Sequence, residues 1–278
     1  MSFNEISILI IKELNQLDLE LKNIAAELDE TTKENILSYF FSIPGKRLRP
    51  TLTFLSAGSI SSELTPSAEH NLIQLGLGLE LIHSSSLIHD DIIDGDLLRR
   101  GQKTLNKTFG NKIAVLAGDT LYSRAFTIFS DTLPRKFSQV MGAVTESMSI
   151  AEILNANNPS PDRETYFKII LGKTASFMSA CCRLGASIAD ATEENSNMLS
   201  KYGKNLGMAY QILDDYIDED PVAMKNVTIE DAFQFAYNAK VSIENLKDSA
   251  YKQSLIMLVD YILDFYSPKV KNVLKIGV

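Results

Sequence analysis

The chain is poor in the residues that mark several function classes. Over 278 residues, 27 Lys and Arg stand against 35 Asp and Glu, a net charge of −8 and a pI near 5.0. That acidity argues against nucleic acid as the main partner, because neutralising phosphates needs a basic surface. Cysteine is nearly missing: Cys181 and Cys182 are adjacent, which argues against a structural disulfide between them and fits a reducing, cytoplasmic home. No apolar run reaches about 18 residues, so no membrane span is expected. The first residues carry Glu5 and Lys12 among short apolar runs; without a small-residue cleavage site they do not read as a signal peptide. Proline is absent from Ser67 to Leu133 and from Asp162 to Asp220. Convincing period-2 strands and Asn-Gly hairpins are absent as well.

What remains is a helical pattern. Apolar residues make up 45% of the chain and charged residues 22%, as in ordinary globular proteins. The proline-free runs hold strong helix formers with apolar positions three and four apart, such as Leu72, Leu75, Leu79, Ile82 and Leu87. The spacing predicts helices near 2–29, 31–42, 48–62, 67–92, 111–131, 134–155, 162–188 and 192–218, with shorter ones after 227. Thr65-Pro66 and Asn158-Pro159 are expected helix breaks. The expectation is an all-α, single-domain bundle of roughly ten helices spanning residues 1–278.

The chemistry-bearing residues fall in clusters. Asp90-Asp91-Ile92-Ile93-Asp94 puts Asp90 and Asp94 one turn apart on a helix face, where like charges repel. Asp214-Asp215-Tyr216-Ile217-Asp218 repeats the pattern. One such run reads as a solvated helix end; two copies behind apolar runs are hard to obtain by chance. Carboxylates without Cys or His ligands favour Mg2+ or Mn2+ over Zn2+. Because Mg2+ prefers a few carboxylates, waters and phosphate oxygens, the pair predicts a metal-bridged phosphate or diphosphate. Gly45-Lys46-Arg47-Leu48-Arg49-Pro50 and Arg99-Arg100-Gly101 are tight basic clusters in an acidic chain, suited to an anionic ligand; either alone reads as surface salt bridges. His83 lies about two turns before Asp90, and His89 is expected to brace the aspartates; a buried core histidine is the default for each. Gly172-Lys173-Thr174 suits an anion near a helix start, but it lacks the glycine pattern of a P-loop.

In order and spacing these motifs resemble the trans-isoprenyl diphosphate synthases, or polyprenyl synthetases, over about residues 40–220. The run Glu80-Leu-Ile-His83-Ser-Ser-Ser-Leu-Ile-His89-Asp90-Asp91-Ile-Ile-Asp94 carries the likeness, with Gly118-Asp119, Gly172-Lys-Thr174 and Gln211-Ile-Leu-Asp214-Asp215-Tyr-Ile-Asp218. The resemblance implies a helical fold around a central cavity, the aspartate motifs facing each other at its mouth. It implies that Asp90, Asp94, Asp214 and Asp218 hold two or three Mg2+ ions. Arg99, Lys173, Thr174 and Gln211 match the allylic diphosphate site, and the last three of these the catalytic set. Lys46, Arg49, His83 and Arg100 match the isopentenyl diphosphate site. The implied reaction is head-to-tail condensation of isopentenyl diphosphate with an allylic diphosphate, in a homodimer.

Two departures stand out. The family's Gly-Lys-Asp and Gly-Lys-x-Thr-Leu-Pro elements do not follow the second motif, where the chain reads Glu219-Asp220-Pro221-Val222-Ala223-Met224-Lys225-Asn226. The family's Gly-Gly-Lys is Pro44-Gly45-Lys46 here. The first of them motivates an alternative, a catalytically weak partner subunit of a heteromeric synthase. Ser85 and Ser86 lie about one turn below the first motif, where short-chain members of the family carry a blocking aromatic residue. Their small size predicts a product longer than farnesyl, geranylgeranyl or beyond, unless they simply let two helices pack closely.

Overall fold

A computed structural model describes residues 2–276 and the side chains through residue 265. The helices, in chain order, are α1 (Phe3–Ser7), α2 (Ile11–Thr32), α3 (Ile36–Phe41), α4 (Leu48–Ile60), α5 (Pro66–Ile93), α6 (Leu105–Phe109), α7 (Asn111–Thr132), α8 (Arg135–Asn157), α9 (Arg163–Ile170), α10 (Ser176–Ile188), α11 (Glu193–Ile217), α12 (Pro221–Asn226), α13 (Ile229–Ser242) and α14 (Ala250–Ile276). The fold is all-α, as the periodicity implies.

Local chemistry sets the ends. Thr65 accepts from the Ala68 N–H at 3.2 Å while Pro66 opens α5, a cap followed by the residue whose missing N–H costs nothing there. Thr192 caps α11 in the same way, with Glu193 and Glu194 in its positive first turn. The expected helix over 162–188 is interrupted: Leu171–Ala175 form a π-helical turn between α9 and α10. α14 runs 27 residues where shorter helices are expected; Leu255, Leu258, Val259 and Ile262 bury one face of it.

The absence of strands is corrected at one place. Leu98–Arg99 (β1) and Gln102–Lys103 (β2) pair antiparallel. The two linking residues, Arg100 and Gly101, both take positive φ, 52° and 80°, as a two-residue hairpin demands. The short ribbon escapes a period-2 search because it has only two residues a side.

The chain divides into two compact units. The α5 unit comprises residues 11–51 and 69–138. In it α5 is apolar nearly all round, with Leu72, Leu75, Leu77, Leu79, Leu81 and Ile82 buried, the mark of a core helix. The α11 unit comprises residues 1–10, 52–68 and 139–278. There α11 packs on α10, α13 and α14.

Candidate active site

In the α5 unit the first aspartate motif ends its helix. The Asp94 N–H donates to the Asp90 carbonyl and the Asp96 N–H to the Asp91 carbonyl, 2.8 and 2.9 Å; with Gly95 at φ 70° between them this closes α5 in a Schellman cap. Asp90 is half-buried, Asp94 exposed and Asp91 buried. Asp91 turns inward and takes Arg99 Nε and Nη2 on one oxygen at 2.7 and 2.6 Å. Asn106 Nδ2 donates to the Asp91 and Asp96 carbonyls, so the hairpin and α6 brace this helix end.

A pocket with about 570 Å³ of empty space, its open mouth included, lies beside this motif. His83, Asp91, Arg99 and Arg100 line it, together with aromatic residues of α3. Lys46 is exposed on the loop before α4, and Arg49 sits in the first turn of α4, close enough for its charge to act on Glu80 and His83. Burial, then Arg49, Arg100, Arg99 and Arg47, pull the His83 imidazole well below its usual range. It is therefore neutral at physiological pH, a hydrogen-bonding group rather than another cation. Arg47 is spent internally, on Asp18 and Glu80 at 2.7 Å each. Burial raises the Glu80 carboxyl and Arg47 opposes it.

His89 does not brace the aspartates as expected. Its Nε2 lies 3.3 Å from the Val115 carbonyl and 3.5 Å from Asp119 on α7, because position 89 faces α7 rather than the motif. Ser85 is turned the same way: it is 2% exposed and donates to the Gly118 carbonyl at 2.8 Å. Ser85 is thus a helix-packing residue, while Ser86, bonded to the His83 carbonyl, stays half-buried.

The α11 unit repeats the cap. The Asp218 N–H donates to the Asp214 carbonyl and the Asp220 N–H to the Asp215 carbonyl, 3.0 and 2.9 Å. Here Glu219 takes the positive φ, 54°. Asp214 is half-buried and Asp218 exposed. Asp215 turns inward to accept from Tyr166 Oη at 2.6 Å and Gln211 Nε2 at 2.7 Å. Burial pushes its carboxyl up to about 6, against the pull of those two donors. Gln211 Oε1 in turn accepts from Thr174 Oγ1 at 2.7 Å. This approach depends on Gly207: a Cβ there would lie 2.6 Å from the Ala175 Cα. Lys173, in the π turn, pairs with Glu152 of α8 at 2.7 Å.

The sequence reading missed Tyr166, Glu152 and the Asp18–Arg47–Glu80 set. Tyr166 precedes Lys173 by seven residues, two turns of the uninterrupted helix expected over 162–188, a spacing that could have flagged it; nothing in the sequence flags Glu152. Among the described residues no three His, Cys, Asp or Glu side chains converge as a ready metal cage. Mg2+ fits the donors present all the same. Each motif offers hard oxygens on an i,i+4 pair, and Mg2+ completes such partial sets with water and substrate phosphate.

The "Polyprenyl synthetase" family model matches residues 30–242. The octaprenyl diphosphate synthase of Escherichia coli (strain K12) is 34% identical over 216 residues, covering 75% of this chain and 65% of that protein. The octaprenyl diphosphate synthase of Haemophilus influenzae is 32% identical over 223 residues, covering 78% and 65%. The chain thus spans just under two thirds of the length of these curated relatives. Among solved structures, a decaprenyl diphosphate synthase from Rhodobacter capsulatus superposes with a TM-score of 0.86 at 23% identity, covering 95% of this chain and 99% of that one. A polyprenyl synthase from Caulobacter crescentus, complexed with calcium and isoprenyl diphosphate, gives 0.82 at 21% identity, covering 94% and 97%. At those identities the likeness establishes the fold. With most of its length matched by the family model and its motifs in the family's order, the chain belongs to the polyprenyl synthetase family.

Proposed function

We propose that residues 1–278 work as one catalytic domain, a Mg2+-dependent trans-polyprenyl diphosphate synthase. It condenses isopentenyl diphosphate head-to-tail with an allylic diphosphate, in the cytoplasm and as a homodimer. The observation that carries this reading is the repetition of one device: a Schellman-capped helix end with an i,i+4 carboxylate pair and an inward-turned middle aspartate. Supporting it are the basic pocket of the α5 unit and the names of the relatives, octaprenyl, decaprenyl and solanesyl synthases among them.

Asp90, Asp94, Asp214 and Asp218 are the residues that would hold Mg2+. When bound, Mg2+ neutralises the allylic diphosphate and stabilises its charge as it leaves. Arg99 is held by Asp91 and keeps guanidinium donors for that diphosphate, with Lys173, Thr174 and Gln211 as its further partners. Lys46, Arg49 and Arg100 supply positive charge for isopentenyl diphosphate, and neutral His83 supplies a hydrogen bond. The isopentenyl double bond attacks the allylic cation. The proton then lost goes to the departing diphosphate, so no protein nucleophile is required.

The experiment is incubation with Mg2+, an allylic diphosphate and labelled isopentenyl diphosphate. An elongated diphosphate longer than farnesyl is expected. No product would favour the partner-subunit alternative, which the missing Gly-Lys elements after Asp218 motivate; a released hydrocarbon would indicate a cyclase. Ser86→Phe should shorten the product, whereas Ser85→Phe should chiefly cost stability by striking the Gly118 backbone. An unchanged product distribution in Ser86→Phe would remove residue 86 from chain-length control.

A further inference from the structure

The reaction as proposed leaves Tyr166 without a task, although it is 4% exposed and its phenol makes a 2.6 Å bond beside the second aspartate motif. It is the first of three bonds that link four groups. Tyr166 of α9 donates to Asp215, Gln211 donates to the other oxygen of Asp215, and Thr174 of the π turn donates to Gln211.

The direction of every hydrogen in this chain follows from one end. Burial and Asp215 push the Tyr166 phenol far above its usual range, so it stays a donor. An ionised carboxylate only accepts. Gln211 must then turn its NH2 toward Asp215 and its carbonyl toward Thr174, and the Thr174 hydroxyl must give its single hydrogen to that carbonyl. Any further partner of Thr174 meets an acceptor oxygen. The π turn belongs to the same device, because its extra residue per turn rotates Thr174 relative to an uninterrupted α-helix. In the first motif Arg99 meets Asp91 directly.

We infer that Tyr166 is a positioning residue: acting through Asp215, it fixes the Gln211 amide and the direction of the Thr174 hydroxyl at the reacting centre. This rests on the synthase reading above. Tyr166→Phe is the informative variant because it keeps the buried ring, which neighbours Phe167, and removes only the oxygen.

The test is a double-mutant cycle on Tyr166→Phe and Thr174→Val, read both as kcat and as thermal stability of the substrate-free protein. Tyr166→Phe should lower kcat about tenfold, the scale of one lost hydrogen bond to a charged group, with KM for both substrates unchanged. The double variant should lose no more kcat than Thr174→Val alone, and the stability losses should be less than additive. A productive wild type whose Tyr166→Phe variant keeps its kcat, or whose losses multiply, overturns this inference and spares the synthase reading. A wild type that forms no elongated product overturns the synthase reading and this inference with it. That separates the two failures.

Discussion

Asp91 and Asp215 occupy the same place in two copies of one motif, at the ends of α5 and α11, and are satisfied by opposite means. Asp91 is paired with a cation: Arg99, at 29% side-chain exposure, meets a carboxylate at 4%. Asp215 is held by two neutral donors, Tyr166 and Gln211. A full opposite charge compensates a buried carboxylate far better than dipoles do, and the Asp215 carboxyl is accordingly pushed up to about 6. The shared Asp-Asp-x-x-Asp pattern therefore belongs to the outward pair, while the middle residue is a local solution to burial. In one unit that solution ties the motif to the Arg99 hairpin, in the other to Gln211 and Thr174.

The largest effect should come from the outward pairs, where the two motifs are expected to behave alike. Asp90→Ala and Asp214→Ala should each lower Mg2+-dependent turnover by about 10²–10³-fold, the scale of losing a principal electrostatic stabiliser. Melting temperature should hold or rise slightly, because like charges one turn apart are relieved. Near-normal turnover in both variants would break the comparison outright.

The inward residues should differ. Arg99→Ala strands a buried carboxylate and should cost about 3 kcal/mol in substrate-free denaturation. Adding Asp91→Ala should recover most of that, and a double variant as unstable as the single would refute the pairing argument. For Asp215 the lever is pH. Its folded pKa lies above its unfolded value of 3.8, so its contribution is fully present below that value and is lost as pH climbs through about 6. Metal-free protein should lose about 2 kcal/mol from this group between about pH 4 and about pH 7. Asp215→Asn should flatten that part of the stability profile; an unchanged slope would show that the donors compensate Asp215 as fully as Arg99 compensates Asp91.

Much of this was legible in the sequence. Apolar spacing located α5, α7, α8 and α11 within a few residues because long periodic helices bounded by proline, glycine or a Thr cap leave strong local signals. The outward aspartates and the basic clusters were legible as repeats and as exceptions to an acidic composition. The π turn at Leu171–Ala175, the ribbon around Arg100-Gly101 and the inward turn of Asp91 and Asp215 were not. Asp215 depends on a neighbour distant in sequence, Tyr166 across 49 positions. Asp91 turns to Arg99 only eight residues on, and the ribbon is two residues a side, so these leave no periodic signal. His89 shows the limit well. Its nearness to Asp90 in sequence suggested a brace, but one residue is 100° of helix, enough to turn it to Asp119.

The smallest effect sharpens the comparison at the caps themselves. Both helix ends need a left-handed residue: Gly95 supplies it at φ 70° and Glu219 at φ 54°. A Cβ at Gly95 would meet nothing within 4 Å, so Gly95→Ala isolates the backbone term and should cost about 1 kcal/mol. Glu219→Gly relieves that same strain and removes a negative charge from a helix C-terminus, where the dipole disfavours it. Against this, glycine loosens the unfolded chain by several tenths of a kcal/mol, so the net gain should be about 0.5 kcal/mol, a rise of about 1–2 °C in melting temperature. The two substitutions therefore carry opposite signs at matching positions. A Glu219→Gly variant that melts lower than the parent would show that the Glu219 side chain does something at the second motif that Gly95 does not do at the first.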